Sequence, residues 1–353
     1  LVFRTSGEQL SENDQHFFLG SAYLDAPLEE LKTGPDYARQ GVQEMERYLH
    51  GATSPEISAL YRSRSEALLG KGYRALNQSD QALTHYQKSV SLDQAQLEPI
   101  YQLALLYAER GDAAASEAYF SRILRLFPDH VPSFHGLGAL AEAAGRPEAA
   151  VQYFEDAIHL FPGALSSHYQ LAQIYLRQQR TDTALLELQS CLALNPRYLP
   201  ALMDLGHLFA GQNRLAESQQ LFERALQLDS SREEIFGAIS VVATLQGHPD
   251  EAIKVLHQAV TKGIAGEMTW MNLGNLYAQR EDFQQAIRFF SKARVEDPRN
   301  TKALLGLGIC YVRTGELAKG KSSLEQVLRL EPQNGEARQF LDQINSRPDL
   351  RAR

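Results

Sequence analysis

The chain has 353 residues, 44% of them apolar and 9% aromatic, enough to bury a core and too many for a disordered polypeptide. A net charge of -8 and a pI of about 5.7 exclude the basic surface that nucleic-acid phosphates require, and no polybasic run is present for an anionic membrane. No stretch approaches the roughly 18 consecutive apolar residues of a membrane span.

In chain order, the first residue is Leu1 rather than Met, which sets the expectation of a processed or trimmed chain. Leu19-Gly20-x-x-Tyr23 opens a first helix. A second helix, around Tyr37 to Leu49, follows a Pro- and Gly-containing loop from Asp25 to Asp36. Residues 1–62 therefore read as an N-terminal extension, in which about 13–53 form a degenerate copy of the helical pair that recurs downstream. Ser54-Pro55-Glu56 reads as an N-cap with proline in the first turn, starting a long helix.

From residue 63, eight units of 34 residues run without a gap to residue 334: 63–96, 97–130, 131–164, 165–198, 199–232, 233–266, 267–300 and 301–334. Position seven is always a large aliphatic: Leu69, Leu103, Leu137, Leu171, Leu205, Ile239, Leu273, Leu307. Position eight is always small: Gly70, Ala104, Gly138, Ala172, Gly206, Ser240, Gly274, Gly308. So is position twenty: Ala82, Ser116, Ala150, Ala184, Ser218, Ala252, Ala286, Gly320. Positions four, seven, eight and eleven recur at helical spacing and make one face of a first helix. Small residues at eight and twenty let the second helix approach, and bulk returns at position twenty-four: Tyr86, Phe120, Phe154, Leu188, Phe222, Leu256, Phe290, Leu324. An aromatic at position eleven (Tyr73, Tyr107, Tyr175, Phe209, Tyr277, Tyr311) fills the space beside the small residues.

Asn77, Gly111, Gly145, Asn213, Gly247 and Gly315 sit where each first helix must end, because Gly and Asn tolerate the left-handed conformation. Pro128, Pro162, Pro196, Pro298 and Pro332 close second helices by lacking an amide donor. Beyond the last unit, residues 335–345 put Ala337, Phe340, Leu341 and Ile344 on one face, the pattern of a capping helix. Residues 346–353 lack an apolar face and are expected to be disordered.

Chemistry is hard to find in this sequence. Cys191 and Cys310 fall at packing positions and are expected to behave as small buried hydrophobes. His130 and His135 have no carboxylate or cysteine at metal-ligand spacing, and His168 sits at a packing position. Phosphate loops, GxSxG and HExxH are absent. The chain is read as a non-enzyme with no cofactor and no metal.

Trp270-x-x-Leu273-Gly274-x-x-Tyr277, Ala286-x-x-x-Phe290 and Pro298 resemble the signature of the tetratricopeptide repeat family, whose period is 34 residues. The resemblance covers roughly residues 13–345. It implies an all-α fold, a right-handed superhelical solenoid of helix-turn-helix repeats. In that solenoid, first helices line a concave groove for peptides, loops or helices of partners. Two groove chemistries of the family do not carry over. Where chaperone-binding members clamp a carboxylate with lysine at position five and asparagine at nine, this chain has Met271 and Asn275. Position six (Leu68, Gln102, Gly136, Gln170, Asp204, Ala238, Asn272, Gly306) breaks the asparagine ladder of O-linked N-acetylglucosamine transferase arms.

Positions two, five, nine and twelve lie about 130° from the packing face of a first helix. With position six they give the candidate groove residues Tyr101, Gln102, His135, Tyr169, Gln170, Gln173, Met203, Asp204, His207, Met271, Asn272 and Asn275. The set has aromatics, methionines and few charges, which suits an apolar or amphipathic segment of a protein partner. The alternative is that these residues pack adjacent first helices together. The first functional reading is a protein-interaction adaptor. A regulatory or substrate-docking arm of a larger enzyme and an exported bacterial envelope or secretion assembly factor are the alternatives. The compartment, cytoplasmic or periplasmic, stays open.

Overall fold

The computed structural model describes residues 12–51 and 59–346. The expected Ser54–Glu56 cap and the tail beyond Ser346 lie outside them. Twenty helices and no strand are found among the described residues. The chain forms two compact units, residues 1–174 and 175–353, with the boundary inside the helix Leu165–Arg177.

In the first unit, α1 (Glu12–Leu24), α2 (Leu28–Thr33) and α3 (Pro35–Gly51) precede three regular helix pairs. These are α4 (Ala59–Ala75) with α5 (Ser79–Leu92), α6 (Leu97–Glu109) with α7 (Ala113–Leu126), and α8 (Val131–Ala143) with α9 (Pro147–Leu160). The helix α10 (Leu165–Arg177) follows. The second unit contains α11 (Thr181–Leu194), α12 (Leu199–Gly211), α13 (Leu215–Leu228), α14 (Glu233–Leu245) and α15 (Pro249–Thr261). It continues through α16 (Glu267–Gln279), α17 (Phe283–Glu296), α18 (Thr301–Arg313) and α19 (Leu317–Leu330) to α20 (Gly335–Asn345).

The pairing of helices follows from the small residues. A β-carbon added to Gly70, Gly138, Gly206 or Gly274 would stand 2.6–2.7 Å from the ring of Tyr86, Phe154, Phe222 or Phe290 respectively. Position eight is thus the seat of the position-twenty-four ring. The next repeat presses on the same rings, because Gly136 abuts Phe120 and Gly306 abuts Phe290. Tyr86, Phe120, Phe154, Phe222 and Phe290 are among the most completely buried large side chains, each contributing about 1.5–3 kcal/mol by burial. Where position twenty is serine, its hydroxyl donates to the backbone facing it: Ser116 Oγ to Ala104 O at 2.8 Å, and Ser218 Oγ to Gly206 O at 2.7 Å.

Each first helix of the eight regular units ends on a left-handed residue. Asn77, Gly111, Gly145, Asn213, Gly247 and Gly315 all have positive φ. Gln179 (φ 59°) and Glu281 (φ 62°) occupy the same position in the two units that lack Gly or Asn there. At Glu281 the two hydrogen bonds of the reversal are in place, from Glu281 N to Ala278 O and from Asp282 N to Tyr277 O, both at 3.0 Å. The backbone geometry required by the hairpin overrides side-chain preference at these two turns. α15 has no proline after it and stops instead on Gly263 (φ 72°).

Two expectations for the N-terminal segment need correction. The Asp25–Asp36 connection is not an irregular loop, because it holds α2, whose Leu31 is 2% exposed in the first unit's core. Acidic residues Glu29 and Glu30 in its first turn and Lys32 in its last suit the helix dipole. Leu19, aligned with the buried position seven, is 48% exposed, whereas Phe17 and Leu24 are buried. Gly20 does serve as a contact point, with Met45 Cε 3.0 Å from an added β-carbon. The buried stripe of α1 is therefore rotated relative to that of the regular first helices.

Both cysteines are buried and reduced. Burial pushes the Cys191 thiol up to about 12 and the Cys310 thiol up to about 11, so neither is a reactive thiolate at neutral pH.

Candidate functional site

The candidate residues lie along the first helices and differ in burial: His207 and Asn275 are exposed, Gln102 is buried and the others are half-buried. In the first unit Tyr101 is half-buried, edge-on to Phe120 at 5.9 Å and to His130 at 5.3 Å. Its phenol is pushed up by burial, with the Glu98 carboxylate adding to the effect. Gln102 is 9% exposed. Its amide donates to Glu98 Oε1 at 2.7 Å while its carbonyl accepts from Arg74, which also reaches Glu109 at 2.5 Å. That network ties α4 to α6 and makes Gln102 a packing residue as much as a surface one.

His135 lies edge-on to Phe154 at 5.4 Å. Its Nε2 is buried with no hydrogen-bond partner, and desolvation lowers its pKa below the ordinary histidine value. Tyr169, Gln170 and Gln173 are half-buried along α10.

In the second unit Met203 and Asp204 line a 290 Å³ cleft together with Leu199 and Pro200 from α12, Arg232 at the end of the same repeat, and Glu234 and Ile235 from the start of the next. His207 is exposed, with its ring 5.0 Å from that of Phe222. Met271 is half-buried and packs beside Tyr277 against the local core. Asn272 and Asn275 line a 160 Å³ cleft between α14 and α16, whose other wall is Ser240, Val241, Thr244 and Leu245. Val241 and Leu245 are 48% and 58% exposed. This second cleft therefore sets the exposed aliphatics Val241 and Leu245, with two hydroxyls, across from the amides Asn272, Asn275 and Gln279.

The clefts recur at equivalent places. In the first unit a 460 Å³ cleft lies between α4 and α6, lined by Leu60, Tyr61, Arg64 and Ala67 on one side and Gln96, Leu97, Glu98 and Pro99 on the other. Positions two and five of one repeat thus face the start of the next, as in the Met203 cleft. The sequence places positions two, five, six, nine and twelve on this face, Glu234 and Val241 among them, but that reading passes over Arg232, Leu245 and Gln279. Leu245 and Gln279 lie one helical turn beyond position nine on the same stripe, and that continuation was the available signal.

Aromatics at position eleven are engaged on the side of the second helix. Arg180 lies 4.4 Å from the Tyr175 centroid, Arg214 3.8 Å from Phe209, and Lys319 5.5 Å from Tyr311. Among the described residues no group of three or more His, Cys, Asp or Glu side chains could hold a metal ion. No described helix is long and apolar enough to cross a membrane.

Family models described as tetratricopeptide repeat match residues 96–162, 141–197, 199–232, 245–301 and 277–344, together about two thirds of the chain. BBSome complex member BBS4 of Bos taurus is 27% identical over 118 residues, which is 33% of this chain and 22% of that protein. The matched stretch thus spans about a fifth of the curated relative. A tetratricopeptide repeat protein from Parabacteroides merdae superposes with a TM-score of 0.53 at 15% identity, covering 71% of this chain and 99% of that one. A chain of the APC/C hetero-tetramer Cut9-Hcn1 does so with a TM-score of 0.50 at 15% identity, covering 95% of this chain and 64% of its own. The two structural likenesses show a shared fold. With its unbroken period, its ring-on-glycine helix pairs and these matches, the chain belongs to the tetratricopeptide repeat family.

Proposed function

We propose that this chain is a protein-interaction adaptor that holds a peptide or helical segment of a partner protein along the exposed faces of its first helices. The observation that carries the reading is the recurring cleft between successive first helices, in which apolar side chains stand beside amide, hydroxyl or charged ones. Such a cleft takes an apolar side chain while the flanking amides meet the backbone or polar groups of the same segment. An amphipathic segment satisfies both kinds of lining. Similarity to a BBSome complex member and to a chain of the APC/C Cut9-Hcn1 assembly, both parts of multi-protein complexes, supports the same class of role.

The test is site-specific photo-crosslinking in the native source, with the reactive side chain placed in turn at Met203, at Asn275 and at the exposed second-helix residue Gln220. Crosslinks to one partner segment, mapped by mass spectrometry, are expected from the first two positions. An adduct formed equally from Gln220 would place the partner elsewhere and remove the proposal.

A further inference from the structure

Away from the regular repeats, α1, α2 and α3 enclose a 540 Å³ cleft whose walls include Tyr23, Ala26, Glu30, Thr33 and Tyr37. The two tyrosine rings lie 6.2 Å apart at an angle of 34°. Tyr37 is 63% exposed, which is unusual for an aromatic in this chain. Below the rings Leu31 closes the cleft with a buried apolar side chain.

The charges around this cleft are unbalanced. From Asp25 to Arg39 the chain carries Asp25, Glu29, Glu30 and Asp36 against Lys32 and Arg39. Both cations are already engaged, Lys32 with Glu29 at 3.0 Å and Arg39 with Asp36 at 2.7 Å. Asp25 and Glu30 form no ion pair among the described residues. The cleft thus presents two aromatic rings and one wall carboxylate, and no cation is among its lining residues.

We propose that this cleft is a second docking site that receives an arginine side chain from a partner protein, with its guanidinium against the tyrosine rings and the Glu30 carboxylate. A planar guanidinium stacks on an aromatic face and offers paired N–H donors to a carboxylate, which a compact ammonium cannot do in one geometry. The volume leaves room for an apolar neighbour of the arginine over Ala26 and Leu31. The site rests on α1–α3 alone and is independent of the first-helix clefts.

The experiment uses the full chain with ¹³C-labelled tyrosine rings and the pentapeptide acetyl-Gly-Leu-Arg-Leu-Gly-amide as probe. Tyr23 and Tyr37 signals are assigned with Tyr23→Phe and Tyr37→Phe. Saturable movement of both signals is expected, with the Tyr101 signal unmoved. Binding should weaken by about tenfold or more when citrulline, neutral and nearly isosteric, replaces arginine, and likewise in Glu30→Gln. Glu30 is exposed, so that variant should lose only the small helix-dipole contribution at α2 and melt close to the parent chain. Three results would each overturn the proposal: rings that do not respond at millimolar peptide, citrulline binding as well as arginine, or a lysine twin binding equally, which would reduce the site to bare charge.

Discussion

Gly206 and Phe222 meet so closely that a β-carbon on the glycine would stand 2.6 Å from Cε1 of the ring. Phe222 is fully buried, and Ser218 Oγ holds the Gly206 carbonyl at 2.7 Å, so neither the ring nor the backbone can retreat. Gly206→Leu should therefore overpack the α12–α13 pair at a cost of about 1–3 kcal/mol or more. Gly211, in the same helix, has nothing within 4 Å of an added β-carbon. Gly211→Ala should instead stabilise by about 0.5–1 kcal/mol, since alanine restricts the unfolded chain and favours the helix. Urea midpoints of the two variants should move in opposite directions, and a neutral Gly206→Leu would count against this packing register.

The first-helix turns offer a second test. Glu281 and Gln179 hold φ near 60°, where a side chain costs about 1–2 kcal/mol relative to glycine. Part of that is returned through glycine's greater unfolded freedom, leaving a net gain of about 0.5–1 kcal/mol for Glu281→Gly or Gln179→Gly. Gly315→Ala, at the equivalent turn with φ 82°, should lose a similar amount. Thermal melts that rank the three variants in that order would confirm that the turn geometry is imposed by the repeat.

These cases mark what the sequence made legible. Gly206 could be read because the small residue and the ring recur every 34 residues, and a period averages away local noise. Glu281 could not be read as left-handed, since glutamate has no such preference and only the tertiary hairpin requires it. Helix α2 escaped notice because its six residues between Pro27 and Gly34 are too few to show a period. The burial of Gln102 rests on Arg74, 28 residues earlier, and a contact at that distance leaves no mark on helical spacing. Cleft-lining positions were found where they lay on the expected stripe. Their neighbour Leu245, at position thirteen, was missed because an exposed aliphatic on a helix looks like core in a sequence.

Acid sensitivity follows from the buried imidazoles. Desolvation holds His135 and His130 below the ordinary value, and it does so at His257 with help from Arg288 and Lys292. When the folded pKa is the lower one, the unfolded chain binds protons first as pH falls below about 6.5. Stability is then fully present above that value and declines as pH drops toward the lowered folded values. His135→Phe keeps a ring against Phe154 and removes the unpartnered buried Nε2. The variant should show a smaller difference in urea midpoint between pH 7.5 and pH 5 than the parent chain. An unchanged difference would assign the acid response to His130 and His257.

Helix α16 starts at Gly266, which has no side chain to cap it, and the cap comes from the preceding repeat. Glu233 Oε1 accepts from Gly266 N at 2.9 Å and from Thr269 N at 2.7 Å, placing an anion at the positive end of the helix. The bond also fixes where α14 and α16 meet, beside the cleft that holds Asn272 and Asn275. Glu233→Ala leaves two amide donors without that partner and should cost about 1–2 kcal/mol. Glu233→Gln keeps a carbonyl acceptor while losing the charge, and should recover more than half of that stability. Hydrogen exchange at the Thr269 amide separates the cases, being fast in the alanine variant and slow in the other two. Equal protection in all three would show that the glutamate is not what orders the start of α16.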